Sequence, residues 1–338
     1  MSELALIPSS QTNMALTVNH DEIMAQAAEW FGLDVANGDA RPDTIDSYRF
    51  GLKHWLMWCR VTTVDPGQAT KEHIKMFRKE MVDSNYAATT ISSKLTAVRR
   101  FYESAVQREF ITVNPAAGVR APKDRSAAGD IVEHLSDDEA NLLFKTIPND
   151  GRLKTLRDRA MIALMTIEGL RRVEIHRAND EDIAYDGDRM RMLIHGKGKD
   201  RYKHPRQSDV AKIIEKYIEL RGPVEADADG KHPLFVHVIK SGRTQGRITR
   251  RGITKMVSQY FLDAGITNVI PKESGIRRQR NCHALRHTCG TDIYKGTGDL
   301  KLVQETLGHA SIEMAAKYSH VDKRAKSRVT EIIAIEIT

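Results

Sequence analysis

The side chains with the clearest capacity for chemistry fall into two groups within the 338-residue sequence. The downstream group holds two histidines, an arginine and a tyrosine: His283, Arg286, His309 and Tyr318. The upstream group holds an arginine, a glutamate and a lysine: Arg171, Glu174 and Lys197. A phenol flanked by a base and by guanidinium groups has the parts needed to attack a phosphodiester. The two groups together therefore predict phosphoryl transfer with a tyrosine nucleophile.

Arg171 and Arg286 are the residues predicted to neutralise the charge that builds up on a reacting phosphate. A guanidinium group is permanently charged and donates hydrogen bonds in a fork, which suits phosphate oxygens. Arg171 follows an apolar segment that ends in Gly169 and Leu170, where a solvent-facing charge is not expected. Glu174 lies three residues further on and is predicted to hold the Arg171 guanidinium in place.

His283 and Arg286 share one predicted helix face with His287 and Gly290, because these residues occur at positions i, i+3, i+4 and i+7. Gly290 is expected to let another backbone approach this face closely. The pair of His283 and His287 has the spacing of zinc-binding helices, but the glutamate of an HExxH motif is missing, so no metal is predicted. His309 is open to two interpretations, a helix-capping histidine or a member of the site.

Tyr318 is the predicted nucleophile and Lys197 is the predicted proton donor. Tyr318 follows a short predicted helix that Ser311 is expected to cap, which would present the phenol just past the last turn. A phenol with an ordinary pKa of about 10 needs a base and cationic neighbours, which His283 and the two arginines would supply. Lys197 would protonate the departing oxygen once nearby arginines lower its pKa, and Lys199 is the alternative donor.

Periodic apolar residues predict four helices within residues 20–110. Their expected starts are near Asn19, after Pro42 with Thr44 as the cap, after Thr70 as the cap, and at Thr89 or Thr90. The polar stretch that follows this region contains proline and glycine but no periodicity, which predicts a linker. This part of the chain is therefore predicted to form a small helical domain.

The remaining sequence predicts further helices and a β-hairpin. Ser136 and Glu139 form a capping box, and helices are expected over 156–167, 213–220, 253–264, 283–294 and 300–307. Gly308 is expected to end the last of these helices in the left-handed conformation. Alternating apolar residues over 190–194, followed by a Gly-Lys-Gly turn, predict a β-hairpin with Lys197 at or near its tip.

The charge of the chain favours a polyanionic partner. The net charge is +7, the isoelectric point is about 9.2, and basic residues cluster over 240–251 and 272–280. The sequence has no apolar stretch of about 18 residues and no signal-peptide pattern, which predicts a cytoplasmic protein without a membrane span. The three cysteines lack a paired spacing, which argues against a disulfide framework and a zinc site.

The order of the candidate residues resembles the catalytic set of the tyrosine recombinase (phage integrase) family: Arg171, Lys197, His283, Arg286, His309 and Tyr318. The resemblance covers roughly residues 135–325, and the helix ending in Trp55-Leu-Met-Trp58 looks like part of the first domain of Cre-type recombinases. It implies a mainly α fold with a small β-sheet, in which an N-terminal helical core-binding domain precedes an α+β catalytic domain. The implied ranges are a flexible N-terminus 1–18, a DNA-binding domain 19–118, a linker 119–134, a catalytic domain 135–327 and a C-terminal docking segment 328–338.

The resemblance also implies a mechanism and partners. Tyr318 would form a 3′-phosphotyrosine link with DNA, Lys197 would protonate the 5′-oxygen, and no metal, ATP or other cofactor would be needed. The partner would be double-stranded DNA with an inverted-repeat recombination site, bound by a homo-tetramer. The predicted DNA contacts lie on the fourth helix and in the basic runs: Thr90, Ser93, Lys94, Arg99, Arg243, Arg247, Arg250 and Arg277.

The sequence departs from the family pattern after the Gly-Lys-Gly triplet. Two positions that often hold basic residues in the family are Asp200 and Tyr202 here, which leaves the choice between Lys197 and Lys199 open. Three other functions are compatible with the catalytic residues: a type IB topoisomerase, a telomere resolvase, and a DNA-binding regulator without catalysis. The compact N-terminal helical domain and the complete set of six groups favour site-specific recombination over these alternatives.

Overall fold

The structure is a computed structural model that describes residues 20–40, 42–123, 133–196, 200–239, 241–266, 270–271, 277–278 and 280–319. Its contacts divide the chain into two compact units, Met1–Ser126 and Ala127–Thr338. Helices dominate both units and short antiparallel sheets occur in the second, which confirms the predicted fold class. Within the described ranges, no helix is both long enough and apolar enough to cross a membrane.

The first unit contains the four predicted helices: α1 (His20–Asp34), α2 (Pro42–Thr62), α3 (Lys71–Asp83) and α4 (Ala88–Gln107). Thr70 caps α3 as predicted, because its side chain accepts a hydrogen bond from the backbone N–H of His73. The His73 side chain accepts from the Thr70 backbone N–H in return. Two N–H groups that the helix leaves unpaired are thereby satisfied.

Two predicted helix starts in the first unit are wrong by a short distance. α2 begins at Pro42, whose fixed φ suits the first helical position, so Thr44 lies inside the helix and does not cap it. α4 begins at Ala88, so Thr89 and Thr90 lie in its first turn. Ala87 precedes α4 and makes no side-chain cap. The prediction looked for a polar capping residue and therefore placed the start of the helix too late.

Aromatic side chains fill the core of the first unit. The ring centroids of Trp55 and Phe77 are 5.2 Å apart, and the Trp55 indole N–H donates to the Tyr102 hydroxyl at 3.1 Å. That hydroxyl donates to a backbone carbonyl at 2.8 Å, so the buried polar groups are paired. α2 and α4 approach closely at Gly51, where an added Cβ would lie 2.7 Å from the Cβ of Ala97. Apolar packing therefore holds this unit together.

The second unit contains eight helices within its described residues: α5 (Asp137–Thr146), α6 (Leu153–Thr166), α7 (Arg172–Arg177), α8 (Ser208–Arg221), α9 (Arg250–Asp263), α10 (Cys282–Thr297), α11 (Leu300–Leu307) and α12 (Glu313–Ala316). Ser136 and Glu139 form the predicted capping box. Gly308 ends α11 at φ 60° and ψ 53°, the predicted left-handed conformation. Ser311 does not cap α12, because Ile312 already has helical dihedral angles and precedes the helix without a side-chain cap.

The strands of the second unit form three small antiparallel sheets. β1 (Ile183–Asp186), β2 (Arg189–Ile194) and β3 (Arg201–Lys203) make the largest, β4 (Val236–Val238) pairs with β5 (Thr244–Arg247), and β6 (Ile270–Pro271) pairs with β7 (Arg277–Arg278). The pairing of β2 with β3 confirms the predicted hairpin, with Ile194 opposite Arg201 and Met192 opposite Lys203. Lys197 and Lys199, the two candidate proton donors, lie outside the described residues.

α6 is buried along nearly its whole length and leads the chain into the candidate site. It packs against α8 and α10 and ends one residue before a turn that contains Gly169 at φ 71°. An added Cβ on Gly169 would lie 2.4 Å from Leu307 Cδ2 and 2.8 Å from Cys289 Sγ, so this position requires glycine. A small apolar cluster joins α10, α11 and α12 nearby: Cys289, Tyr294, Val303, Leu307, Ala315 and Tyr318.

Candidate active site

The Glu174 carboxylate lies at the centre of three arginine side chains. Glu174 is 2% exposed and accepts hydrogen bonds from the Arg171 backbone N–H at 2.7 Å and from Arg171 Nη1 at 2.9 Å. Arg201 Nη1 donates to the same carboxylate at 3.2 Å, and Arg286 Nη1 lies 3.8 Å from its second oxygen. The predicted contact between Glu174 and the Arg171 guanidinium is therefore present.

The charges in this cluster leave an excess of positive charge. Burial would raise the pKa of the Glu174 carboxyl, but the charge of Arg201 and the hydrogen bond from the Arg171 backbone outweigh it and lower this pKa. Glu174 is therefore ionised at neutral pH, and its single negative charge faces three guanidinium groups. An anion with several oxygens, such as a phosphodiester, would neutralise the remaining charge.

Backbone carbonyl groups fix Arg286 in place. Its Nη1 donates to the Gly169 carbonyl at 2.5 Å and its Nη2 to the Leu307 carbonyl at 2.6 Å. Arg286 is only 3% exposed, and burial together with the charge of Arg171 lowers the pKa of its guanidinium to about 10. The group remains charged at neutral pH. It thus joins the turn after α6 to the end of α11.

The turn at Gly308 supports the other two arginines. Its carbonyl accepts a hydrogen bond from Arg171 Nη2 at 3.3 Å. An added Cβ on Gly308 would lie 2.8 Å from Arg201 Cζ, so the guanidinium packs directly against this turn. The left-handed conformation that ends α11 therefore also makes room for Arg201.

The Tyr318 side chain lies two residues past the end of α12 and is fully buried, with 0% exposure. Its hydroxyl is 2.9 Å from His287 Nδ1, and its ring is parallel to that of His309 within 5°, with centroids 6.2 Å apart. An added Cβ on Gly290 would lie 2.6 Å from Tyr318 Cζ. The expectation that Gly290 admits another backbone is wrong, because the phenol ring occupies that space.

Three histidines near Tyr318 are held in the neutral form. Burial and then the charge of Lys317 lower the pKa of His287 to about 3, and burial and then Arg286 lower the pKa of His309 to about 3. Burial followed by the charge of Arg286 also lowers the pKa of His283. Neutral imidazoles can accept a proton or a hydrogen bond, which suits a site that already carries several cations.

His283 is the predicted base for Tyr318, but another histidine contacts the phenol in the structure. His287, and not His283, makes the hydrogen bond with the Tyr318 hydroxyl that is found among the described residues. The ring centroids of His283 and His287 lie 6.3 Å apart on successive turns of α10. His309 is 7% exposed and stands beside the phenol, which places it with the site and not only at the end of α11.

Two basic residues of β3 belong to the cluster and were missed from the sequence. Arg201 contacts Glu174, and Lys203 Nζ donates to the carbonyls of Glu168 and, at 3.1 Å, Thr306. Burial lowers the pKa of the Lys203 ammonium to about 8. Both side chains point to one face of β3, since residues two apart in a strand share a face. The two-residue spacing of these basic side chains was the feature of the sequence that could have predicted their shared position.

The predicted DNA contacts on α4 differ in accessibility. Ser93 is exposed and Thr90 is half-buried, whereas Lys94 is 8% exposed with its Nζ 4.9 Å from the centroid of the Phe50 ring. Arg99 Nη2 donates to a backbone carbonyl at 2.9 Å. Arg99 also lines a groove of about 560 Å³ with the following residues: Ala88, Thr89, Ser92, Leu95, Thr96, Gly118, Arg120, Ala121 and Pro122.

The predicted DNA contacts in the second unit also differ. Arg243 is exposed and Arg250 begins α9. Arg247 is engaged by the protein itself, because it forms an ion pair with Asp227 at 2.5 Å and donates to the Asn179 side chain at 2.7 Å. These partners of Arg247 hold β5 in place. Arg277 lies in β7, and its side chain lies outside the described residues.

Comparison with known proteins identifies the class to which this fold and site belong. The phage integrase family matches residues 133–325, and the phage integrase N-terminal SAM-like domain matches residues 35–109. The first match alone covers more than half of the chain. The protein therefore belongs to the phage integrase family, as the order of its candidate residues indicates.

Individual relatives are tyrosine recombinases of the Xer type. The chain is 28% identical over 286 residues to tyrosine recombinase XerD of Bifidobacterium longum, a match that covers 82% of this chain and 86% of that protein. It is 29% identical over 287 residues to tyrosine recombinase XerC of Xylella fastidiosa, with 85% and 88% covered.

Solved structures share the fold. The XerH site-specific recombinase bound to a palindromic difH substrate matches with a TM-score of 0.64 and 19% identity, over 85% of this chain and 79% of that one. A lambda integrase tetramer bound to a Holliday junction matches with a TM-score of 0.61 and 15% identity, over 88% and 76%. The protein is thus a tyrosine recombinase, an enzyme of DNA strand breakage and rejoining, and the topoisomerase, resolvase and regulator alternatives are not favoured.

Proposed function

We propose that this protein exchanges strands between two DNA duplexes through a covalent bond between Tyr318 and a 3′-phosphate. The observation that carries the proposal is the excess of positive charge around Glu174, close enough to Tyr318 for the charges of Arg286 and Arg171 to oppose the rise that burial causes in the pKa of its phenol. Permanent cations that converge on one point stabilise the added charge of a pentavalent phosphate. A protein that only bound DNA would have no use for a phenol at that point.

The proposed reaction needs no external energy source. The Tyr318 hydroxyl attacks phosphorus, the bond from phosphorus to the 5′-oxygen breaks, and that oxygen takes a proton from Lys197 or Lys199. Arg171, Arg286 and His309 stabilise the charge, and His283 assists proton transfer. The free 5′-hydroxyl of the partner strand then attacks the phosphotyrosine and releases the phenol. One ester replaces another at each step, so neither ATP nor a metal ion is required.

The proposed partner is double-stranded DNA with an inverted-repeat site, bound in the cytoplasm by four copies of the chain. The domain over 19–118 and the catalytic domain over 135–327 would hold the DNA, joined by the linker over 119–134. The proposed DNA contacts are Thr90, Ser93, Lys94, Arg99, Arg243, Arg250 and Arg277. Arg247 is left out because its guanidinium binds Asp227.

A covalent trapping assay tests the proposed nucleophile. Nicked suicide duplexes that tile the DNA around the coding sequence are incubated with the protein, and denaturation-resistant adducts are measured. We expect an adduct with the unmodified protein and none with Tyr318→Phe. The matched control is Tyr185→Phe, because Tyr185 is 53% exposed in β1 and should not affect the adduct. An adduct that persists in Tyr318→Phe would refute the assignment, as would its absence from the unmodified protein.

Residues 328–338, which lie outside the described part of the chain, are proposed to dock on a neighbouring copy. Four isoleucines in this segment motivate the proposal, because such a density of apolar side chains favours packing against a protein surface. We expect deletion of 328–338 to leave binding to a single site intact while abolishing the pairing of two sites, as measured by gel shift. Equal loss of both activities would contradict the proposal.

A further inference from the structure

The described arrangement does not offer Tyr318 to a phosphate. Attack requires the phenol oxygen to come within about 3–3.5 Å of phosphorus, with an open approach line. The Tyr318 side chain is fully enclosed at 0% exposure and belongs to the apolar cluster that joins α10, α11 and α12. The phenol must therefore change its position, or its surroundings must open, before the proposed reaction begins.

One side of α10 forms the enclosure around the phenol. His287 Nδ1 lies 2.9 Å from the hydroxyl oxygen, and the absence of a side chain at Gly290, one turn further on, leaves space for the ring. Leu307 closes the same space, because its Cδ1 would lie 2.9 Å from a Cβ added to Gly290. The space beside α10 fits the Tyr318 ring, and the phenol oxygen has a hydrogen-bond partner within it.

The protonation states of Tyr318 and His287 show that no proton passes between them in this contact. Burial raises the pKa of the Tyr318 hydroxyl, so the phenol keeps its proton. His287 is kept neutral by burial and by the charged or ionisable groups that face it, namely Lys317, His283, Arg286 and His309. A base whose pKa is about 3 does not remove a proton from such a phenol at neutral pH. The hydrogen bond therefore joins a neutral hydroxyl and a neutral imidazole.

We infer that His287 is a positioning residue that holds Tyr318 in a withheld position, from which the phenol must leave to reach the phosphate. The inference rests on the proposed role of Tyr318 as the nucleophile. It assigns to His287 and Gly290 a function that differs from that of Arg286 on the same helix. Arg286 prepares the site for the phosphate, whereas His287 keeps the nucleophile apart from it.

Chemical nitration of the free protein with tetranitromethane tests the inference without DNA. Modification of each tyrosine is followed by peptide mass spectrometry in a single sample. Tyr202 is 61% exposed and serves as the reactive reference, and Tyr217 is 0% exposed and reports whether the second unit stays folded. In the unmodified protein we expect Tyr318 to react as slowly as Tyr217. A Tyr318 that reacts as fast as Tyr202 would overturn the inference without any variant.

The variants separate the hydrogen bond from general packing. His287→Phe keeps a ring but removes the acceptor, and we expect Tyr318 nitration to rise by roughly fivefold to tenfold, the effect of one hydrogen bond. His287→Asn places an amide oxygen near the Nδ1 position and should restore the protection. His283→Phe, one turn earlier on α10, is the matched control and should not change Tyr318. Equal protection in His287→Phe and the unmodified protein would overturn the inference.

The trapping assay distinguishes a withheld nucleophile from a proton acceptor. If His287 took the phenol proton during attack, His287→Phe would lower the rate of adduct formation by on the order of 100-fold or more with DNA binding retained, and that result would overturn the inference. We expect the first adducts to form at least as fast as with the unmodified protein. The nitration result stands apart from the proposed function, because a protein that forms no adduct can still protect Tyr318.

Discussion

The two units of this protein both have an apolar core but differ in how many polar and charged side chains they bury. Of the described residues of the first unit, the buried polar side chains are those of Lys94 and Ser104. The second unit buries many more, and most are charged or strongly polar: Thr155, Arg157, Asp158, Thr166, Glu168, Glu174, Asn179, Asp182, Arg221, Arg286, Thr288, Thr291 and His309. Both units have an apolar core, and that of the first is rich in aromatic residues around Trp55. The second unit adds networks of buried charge, such as that around Glu174.

The difference shows that apolar packing stabilises a fold, whereas a buried charge network positions the groups of a site. Apolar packing is not directional and tolerates conservative change. A buried charge network depends on every partner, because the loss of one partner leaves the others uncompensated in a poorly solvated place. The buried charge network of the second unit, where the phosphate is proposed to bind, is therefore sensitive to the loss of any one partner.

The substitution Glu174→Gln should have the largest effect. It removes the one carboxylate that faces Arg171, Arg201 and Arg286, and we expect the second unit to lose about 3–5 kcal/mol of its free energy of unfolding. Hydrogen exchange of peptides from α7 and α10 measures this loss. The fluorescence of the three tryptophans, Trp30, Trp55 and Trp58, reports the first unit alone and should stay unchanged. A loss below about 1 kcal/mol would refute the importance of the network.

Acid should destabilise the second unit before the first. The pKa values of His287 and His309 are about 3 in the folded protein and about 6.5 when unfolded, so stability present above pH 6.5 is lost as the pH falls toward 3. The lowered pKa of Glu174 adds a further loss below its ordinary value of 4.5. Exchange in α10 should therefore rise at a higher pH than tryptophan fluorescence changes. Coincident transitions would contradict the expected order.

The substitution Trp55→Phe should act on the first unit alone. It removes part of a fully buried ring and the donor of the 3.1 Å hydrogen bond to Tyr102, and we expect a cost of roughly 1–3 kcal/mol. Urea unfolding followed through Trp30 and Trp58 measures it, and the cost should not depend on salt. Faster exchange in α7 or α10 would show that the two units are not energetically separate.

The substitution Glu72→Gln should have the smallest effect and serves as the control for Glu174→Gln. Glu72 pairs with Lys75 at 2.8 Å on the surface of α3, where both side chains are well exposed. Exposed pairs of this kind contribute little to stability and are screened by salt. We therefore expect the urea midpoint of the first unit to stay within measurement error. A cost comparable to that of Glu174→Gln would remove burial as the explanation of the contrast.

The same contrast explains which features the sequence predicts well. The four helices of the first unit and the capping box at Ser136 depend on residues within one or two turns of each other, so their patterns are visible locally. The order of the candidate residues was enough to indicate the family, because their types and sequence follow its pattern. Helix α7 was missed, since its six residues are too few to establish a period.

Contacts between distant residues were not visible in the same way. The bond between His287 and Tyr318 and the ion pair between Arg247 and Asp227 join separate segments of the chain. The partners of Arg286 are backbone carbonyls, which every residue has, so no side-chain pattern marks them. The sequence thus indicated which groups take part, and the structure was needed to show which of them touch.

The two carbonyls that hold Arg286 have a consequence for biosynthesis. They belong to Gly169 and Leu307, far apart in the chain, so Arg286 has no fixed orientation until both segments have been made and have folded together. Ribosomes synthesise the Leu307 segment and Tyr318 after nearly all of the other described residues. An unfinished chain that lacks these residues therefore has neither the two carbonyl contacts that orient Arg286 nor the proposed nucleophile.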